Sequence, residues 1–234
     1  MTIDSEELVA FVQREFRGLA DPAKAGPMAA YMKTTMPFYG IQKNDRVPVY
    51  LEIKKRFAPS NRAGYERGIL ALWTLPRREE KYAAIGYAMM WPRFIGSKSH
   101  RVYEQMIREG AWWDLVDGIA AHLVGGALQQ ERDIVGPIMD RWIEDANLWM
   151  RRSAILSHLR HKRDTDWAQL SRHCLQCAGE TEFFIRKAIG WALREYSKSN
   201  PAAVETFLRK HKDRLSGLSV REASKHLTRS GIRG

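Results

Sequence analysis

Apolar residues recur at intervals of three and four along almost the whole chain, and no segment sustains the every-second-residue alternation of a half-buried strand. The pattern predicts helices, interrupted at Pro22, Pro37, Pro59, Pro76, Pro92, Pro137 and Pro201. Asn200-Pro201 and Ser216-Gly217 read as tight joints between helices. The expected fold class is all-α. No low-complexity linker divides the chain, so residues 1–234 are expected to form one domain, long enough to bury roughly 70% of the surface its unfolded form exposes.

A slower period runs beneath the helical one. A small residue followed by isoleucine occurs at Ala84-Ile85, Gly118-Ile119, Ala154-Ile155 and Ala188-Ile189, with the isoleucines 34, 36 and 34 residues apart. Ala223-Ser224 continues the series after another 35 residues, with serine in the isoleucine's place. Such spacing in an all-α chain predicts stacked helix pairs, and the missing tetratricopeptide signature favours a HEAT-like solenoid. On a helix of 3.6 residues per turn, Trp113, Asp117, Lys187, Trp191 and Arg194 each lie about 120–200° from their repeat isoleucine. If the isoleucines face the core, these five line the opposite surface of the second helix, which in a superhelical stack faces the ligand. Lys187 and Arg194 alone would suit an ordinary solvated face. Two tryptophans beside them point to a binding surface instead.

Arg152 breaks this rule. It lies only about 60° from Ile155, in an apolar arc with Leu156 and Leu159. An arginine there needs a carboxylate or a phosphate to receive it. Asp117, one repeat earlier, is a candidate for a structural salt bridge, and the phosphate alternative stays open.

Charge narrows the partner. Lys and Arg number 38 against 27 Asp and Glu, a net charge of +11, which suggests nucleic acid or an anionic membrane surface. No apolar run approaches 18 residues, and the opening MTIDSEELVAFVQREF is amphipathic and acidic rather than a signal peptide, so a soluble cytosolic protein is expected. Against that background Asp117 is out of place. It stacks one turn from Trp113 in AWWDLVD, a flat aromatic beside an acid, where phosphates would repel it. The pairing suits a partner that carries a cation. Cys174 and Cys177 form a lone CxxC with helical flanks and no second ligand pair, so ordinary helical cysteines, no metal and no cofactor are expected.

The segments YMKTTMPFYGIQ, AWWDLVD, LWMRRSAIL and FFIRKAIGWALREYSKSNP resemble the AlkD-type DNA alkylation repair glycosylases, from about Pro27 to about Leu227. The resemblance implies a HEAT-like fold with a concave basic groove. It also implies a monomeric, nucleoid-associated enzyme that hydrolyses the N-glycosidic bond of purines alkylated at N3 or N7, such as 3-methyladenine and 7-methylguanine, in double-stranded DNA. The family's catalytic aspartate falls on Asp117, its two active-site tryptophans on Trp113 and Trp191, and its arginine, beside the substrate phosphodiester, on Arg152. Tyr31 and Gln42 match the N-terminal side of the groove, and Lys33, Lys187, Arg194 and Lys225 are expected to face phosphates. The loops around residues 43–65 and 92–105 differ most. The resemblance further implies action on a lesion that stays in the duplex. Two other readings are a non-catalytic HEAT-like DNA-binding module, which would be expected to lose the aspartate, and a protein-interaction scaffold. The scaffold does not explain Trp113, Asp117, Arg152 and Trp191 together.

Overall fold

The computed structural model describes residues 5–229, and all regular secondary structure among them is helical. The all-α class read from the three-and-four periodicity is what the chain adopts. It packs as two compact units that divide between Ile95 and Gly96.

The first unit holds α1 (Ser5–Gly18), α2 (Pro22–Met32), α3 (Val47–Arg56), α4 (Arg62–Trp73) and α5 (Arg78–Met89). Helix α1 buries Leu8, Phe11, Val12 and Phe16, one stripe at three-and-four spacing. Helix α2 starts where Asp21 accepts from the Ala23 amide and Pro22 presets the first turn, yet none of its residues is fully buried. The segment that follows is fastened from α5. Glu79, fully buried, accepts the backbone amides of Tyr39, Gly40 and Ile41 at 3.0, 2.9 and 3.0 Å, and Glu80 accepts the Tyr39 hydroxyl at 2.9 Å. A buried carboxylate survives because its lone pairs are filled. The effect is to fix Gln42, at the end of this segment, on the surface.

The second unit holds α6 (His100–Gly110) and then α7 (Trp113–Gly118), which runs through a π-helical stretch, Ile119–Val124, into α8 (Gly125–Gln130). It continues with α9 (Arg132–Trp142), α10 (Leu148–Leu156), α11 (Trp167–Gln176), α12 (Phe183–Ser197), α13 (Pro201–His211) and α14 (Gly217–Arg229). Both predicted joints are capped. The Asn200 side chain accepts from the Ala203 amide, and the Ser216 hydroxyl from the Ser219 amide. Pro137, expected as a break, instead lies inside α9. Its missing N–H leaves only one carbonyl, that of Asp133 in the first turn, without its helical donor.

The period near 35 is structural. Ile85, Ile119, Ile155 and Ile189 are all buried, as is Ala223. In the second unit the same spacing reappears as hydrogen bonds from one repeat to the next. His161 Nε2 meets the Gly125 carbonyl at 2.8 Å, Gln169 Nε2 donates to the Gly136 carbonyl at 3.0 Å, and the Ser219 hydroxyl donates to the Arg186 carbonyl at 2.9 Å. Each partner lies 33 to 36 residues away. The repeat is therefore a ladder of side-chain-to-backbone bonds as well as a stripe of isoleucines.

Candidate functional site

Helix α7 begins as the chain leaves extended backbone at Trp112. The Trp112 ring turns inward and packs on Trp149 and Phe184, at centroid distances of 5.9 and 5.5 Å, while those two lie 5.0 Å apart. This apolar floor lies beside Asp117 and Arg152, whose guanidinium is 5.8 Å from the Phe184 ring centre. Asp117 stands one turn after Trp113, near the end of α7.

Arg152 comes from α10, one repeat later, and meets Asp117 as a fork. Its Nε donates to Oδ1 and its Nη2 to Oδ2, both at 2.8 Å, while its Nη1 donates to the Phe184 carbonyl. The arginine side chain is 3% exposed and the aspartate 16%, so the cation lies inside and the acid faces out. Of the two alternatives for Arg152, the geometry is that of the salt bridge: all three guanidinium nitrogens point at protein acceptors. Bidentate contact plus the extra carbonyl gives such a buried pair the satisfied hydrogen bonds it requires. Burial pushes the Asp117 carboxyl above the ordinary carboxylate range. The Arg152 hydrogen bonds and charge pull it back, Asp114 adds a small upward push, and the net direction is upward.

The open side of Asp117 faces a pocket of about 380 Å³ lined by Asp117, Ala121, His122, Arg160, Trp191 and Glu195, with Gly118 and Leu159 completing the wall. The structure thus brings Asp117, Arg152 and Trp191 together. Trp113 is half-buried a turn before Asp117 and is not part of this lining. Three polar lining residues escaped the sequence reading. Glu195 was legible, since it lies one turn after Trp191 on α12. His122 was not, because it lies inside the π-helical stretch Ile119–Val124, which departs from the 100° register on which the sequence reading rests. Arg160 follows the end of α10, in a turn with no helical period to place it, and its side chain is exposed.

The three expected phosphate contacts of the C-terminal repeats converge on one acid. Lys187 and Lys225 reach Glu222 Oε1 at 2.8 and 2.5 Å, and Arg194 reaches Oε2 at 3.0 Å. Burial pushes the Glu222 carboxyl up, but the Lys187 and Lys225 hydrogen bonds and charges outweigh it and hold the group at about 2. In the first unit, Tyr31 and Gln42 line one shallow pocket with Met28, Met32 and Phe38, and Tyr31 is 75% exposed. Lys33 is exposed at the left-handed C-cap of α2, with φ 50°. Cys174 and Cys177 are buried, and burial pushes both thiols up, the second to about 12, which leaves them inert as nucleophiles at neutral pH. Among the described residues, no helix is long and apolar enough to cross a membrane.

The family model described as DNA alkylation repair enzyme matches residues 12–227. A solved structure described as a predicted DNA alkylation repair enzyme from Enterococcus faecalis superimposes with a TM-score of 0.81 at 30% sequence identity, covering 89% of this chain and 96% of that one. No curated protein matches the sequence.

Proposed function

The chain belongs to the DNA alkylation repair enzyme family, and we propose that it is a monofunctional glycosylase of the AlkD type. In this reading it hydrolyses the N-glycosidic bond of cationic N3- and N7-alkylated purines in duplex DNA, as one monomeric domain working at the cytoplasmic nucleoid. The observation that carries the reading is a carboxylate, Asp117, held from behind by Arg152 and open in front to a pocket walled by Trp191.

A purine alkylated at N3 or N7 bears a positive charge and leaves as a neutral base, so it needs little protonation from the enzyme. As the bond from the base to C1′ breaks, positive charge moves to the deoxyribose. A carboxylate about 4 Å from that charge contributes on the order of 4 kcal/mol at an effective dielectric near 20. The Arg152 guanidinium, roughly 4 Å further back, repels the same charge by about 2 kcal/mol. The remaining attraction of about 2 kcal/mol corresponds to roughly thirtyfold in rate, too little for a glycosylase by itself. Asp117 therefore has a second task. It orients the attacking water and accepts its proton, and the raised affinity of its carboxyl for protons suits a general base. The water oxygen bonds to C1′, the electron pair of the broken bond leaves with the base, and the products are free base and an abasic sugar. Trp191 packs against the lesion nucleotide, a planar face for a cation. Trp113, the second tryptophan that the resemblance assigns to the lesion's sugar, is half-buried a turn before Asp117 and outside this pocket lining, so the packing rests on Trp191. Tyr31, Lys33, Gln42, Lys187, Arg194 and Lys225 contact the duplex.

Single-turnover release of 7-methylguanine tests this directly. Asp117→Asn is expected to slow release by more than about a hundredfold while affinity for the duplex holds or rises, because a negative charge has left the phosphate-binding surface. Activity within threefold of wild type would remove Asp117 from catalysis.

A further inference from the structure

Where α12 and α14 cross, Gly190 makes the closest approach. A Cβ there would stand 2.5 Å from the Glu222 Cβ and 2.8 Å from the Ser219 carbonyl, so only glycine lets α14 settle against α12. Glu222 is set into that crossing with its side chain 7% exposed, while the three cations it binds remain 37% (Lys187), 26% (Arg194) and 53% (Lys225) exposed. The acid is inside and the cations radiate from it. Next to them opens a polar pocket of about 430 Å³ lined by Arg194, Glu195, Lys198, Lys225 and His226. Lys198, the C-cap of α12, is held by Glu195 at 2.6 Å. Lys187, Arg194, Lys198 and Lys225 carry four positive charges against two negative ones from Glu195 and Glu222, which leaves an excess of two on a surface with fixed geometry.

We propose that this pocket binds a DNA phosphodiester and that Glu222 is its positioning residue, an acid that strengthens anion binding by aiming the two of its cations that line the pocket, Arg194 and Lys225. The proposal rests on the duplex-DNA reading above, and adds Glu222, Lys198 and His226 to it. Long lysine and arginine side chains lose rotamer freedom when they hold a ligand, and a buried carboxylate that fixes them beforehand removes part of that cost. The Glu222 carboxyl stays ionised well below neutral pH, so the anchor is charged wherever duplex binding is measured near neutrality.

An aiming role and bulk electrostatics differ in sign. Glu222→Gln adds one positive charge to the protein, which alone would tighten binding to DNA and steepen its salt dependence. An aiming role predicts the opposite: binding to undamaged duplex about tenfold weaker, with the log–log salt slope shallower by about 0.9 for each phosphate no longer neutralised. Fluorescence anisotropy of a labelled duplex over a salt series reads both, beside a thermal melt. Tighter binding, or no change, overturns the proposal. Should Glu222→Gln fail to fold, Lys198→Ala carries the test. On an exposed side chain it is expected to lower the slope by about 0.9, whereas Lys210→Ala, an equal charge change on α13, should lower it less. Equal effects from the two would overturn the pocket. Calorimetric titration with inorganic phosphate alone separates the sources: saturable phosphate binding, lost in Glu222→Gln while duplex affinity is unchanged, would assign the site to a free anion and overturn the phosphodiester reading. Wild-type protein that binds no duplex at all would instead sink the DNA reading itself.

Discussion

Asp117 and Glu222 are both carboxylates set between second helices of successive repeats, and they behave in opposite ways. Asp117 on α7 has one cation, Arg152 on α10, which approaches from the buried side and leaves the outer face of the acid open. Glu222 on α14 has three, which share its two oxygens, where Arg152 alone takes both of Asp117's. Burial raises the proton affinity of each. At Asp117 one guanidinium does not cancel that rise, whereas at Glu222 the lysines more than cancel it and the group settles at about 2. The number and side of approach of the cations thus decide the chemistry available to an acid in this fold. One cation behind leaves a carboxylate whose proton affinity stays raised, and three around it give a fixed counterion.

The most disruptive way to break this contrast is to remove Arg152. Arg152→Ala leaves Asp117 buried without its partner and the Phe184 carbonyl without its donor, a loss on the order of 3–5 kcal/mol of stability. A calorimetric melt far below wild type is expected. Arg152→Lys keeps a charge but not the fork, so it should recover part of the melt while excision stays slow and the salt slope of duplex binding stays that of wild type. A normal melt for Arg152→Ala, with weak duplex binding, would mean instead that its guanidinium serves a phosphate.

Acid sharpens the same comparison without mutation. The general-base role proposed for Asp117 requires it ionised, and its folded-state proton affinity is raised, so the single-turnover rate should fall with decreasing pH above the range where an ordinary carboxylate titrates. Glu222 has the opposite sign. Its carboxyl is depressed from 4.5 to about 2, so its contribution to stability is fully present above 4.5 and is lost as pH falls through about 2. Across the acid limb of the rate, duplex affinity should therefore fall far less than activity. Parallel loss of both would show that the two acids are not distinguished by their cations.

The fold and the arrangement at the centre of the candidate site were legible in the sequence because both follow helical and repeat periods. The isoleucine series placed Asp117 and Arg152 one repeat apart, and the structure joins them. It could not decide between a salt bridge and a phosphate for Arg152, since an angle of about 60° from Ile155 says that the side chain turns inward, not what it meets. His122 was hidden by the π-helical stretch, and Arg160 by the turn after α10. Glu222 was hidden for another reason. Helical register shows which cations share a face but not what holds them, and an acid at the Gly190 crossing becomes visible only once α12 and α14 are packed.

The smallest effects separate two neighbours within the Asp117 pocket. Trp191 carries no charge and is proposed to act by packing on the lesion nucleotide, so Trp191→Ala should slow excision by roughly three- to thirtyfold, the range of an aromatic or cation–π contact. The salt slope for duplex binding should hardly move. Arg160 lines the same pocket, is exposed, and stands where the fork of Arg152 is already committed to Asp117. A phosphate beside the lesion is then expected to meet Arg160. Arg160→Ala should lower the slope by about 0.9, one phosphate contact, and weaken duplex binding at low salt, with excision at saturating protein close to wild type. Measured together, the two variants distinguish a wall that recognises the cation from a rim that holds the backbone. A slope lowered by Trp191→Ala and untouched by Arg160→Ala would reverse the two roles.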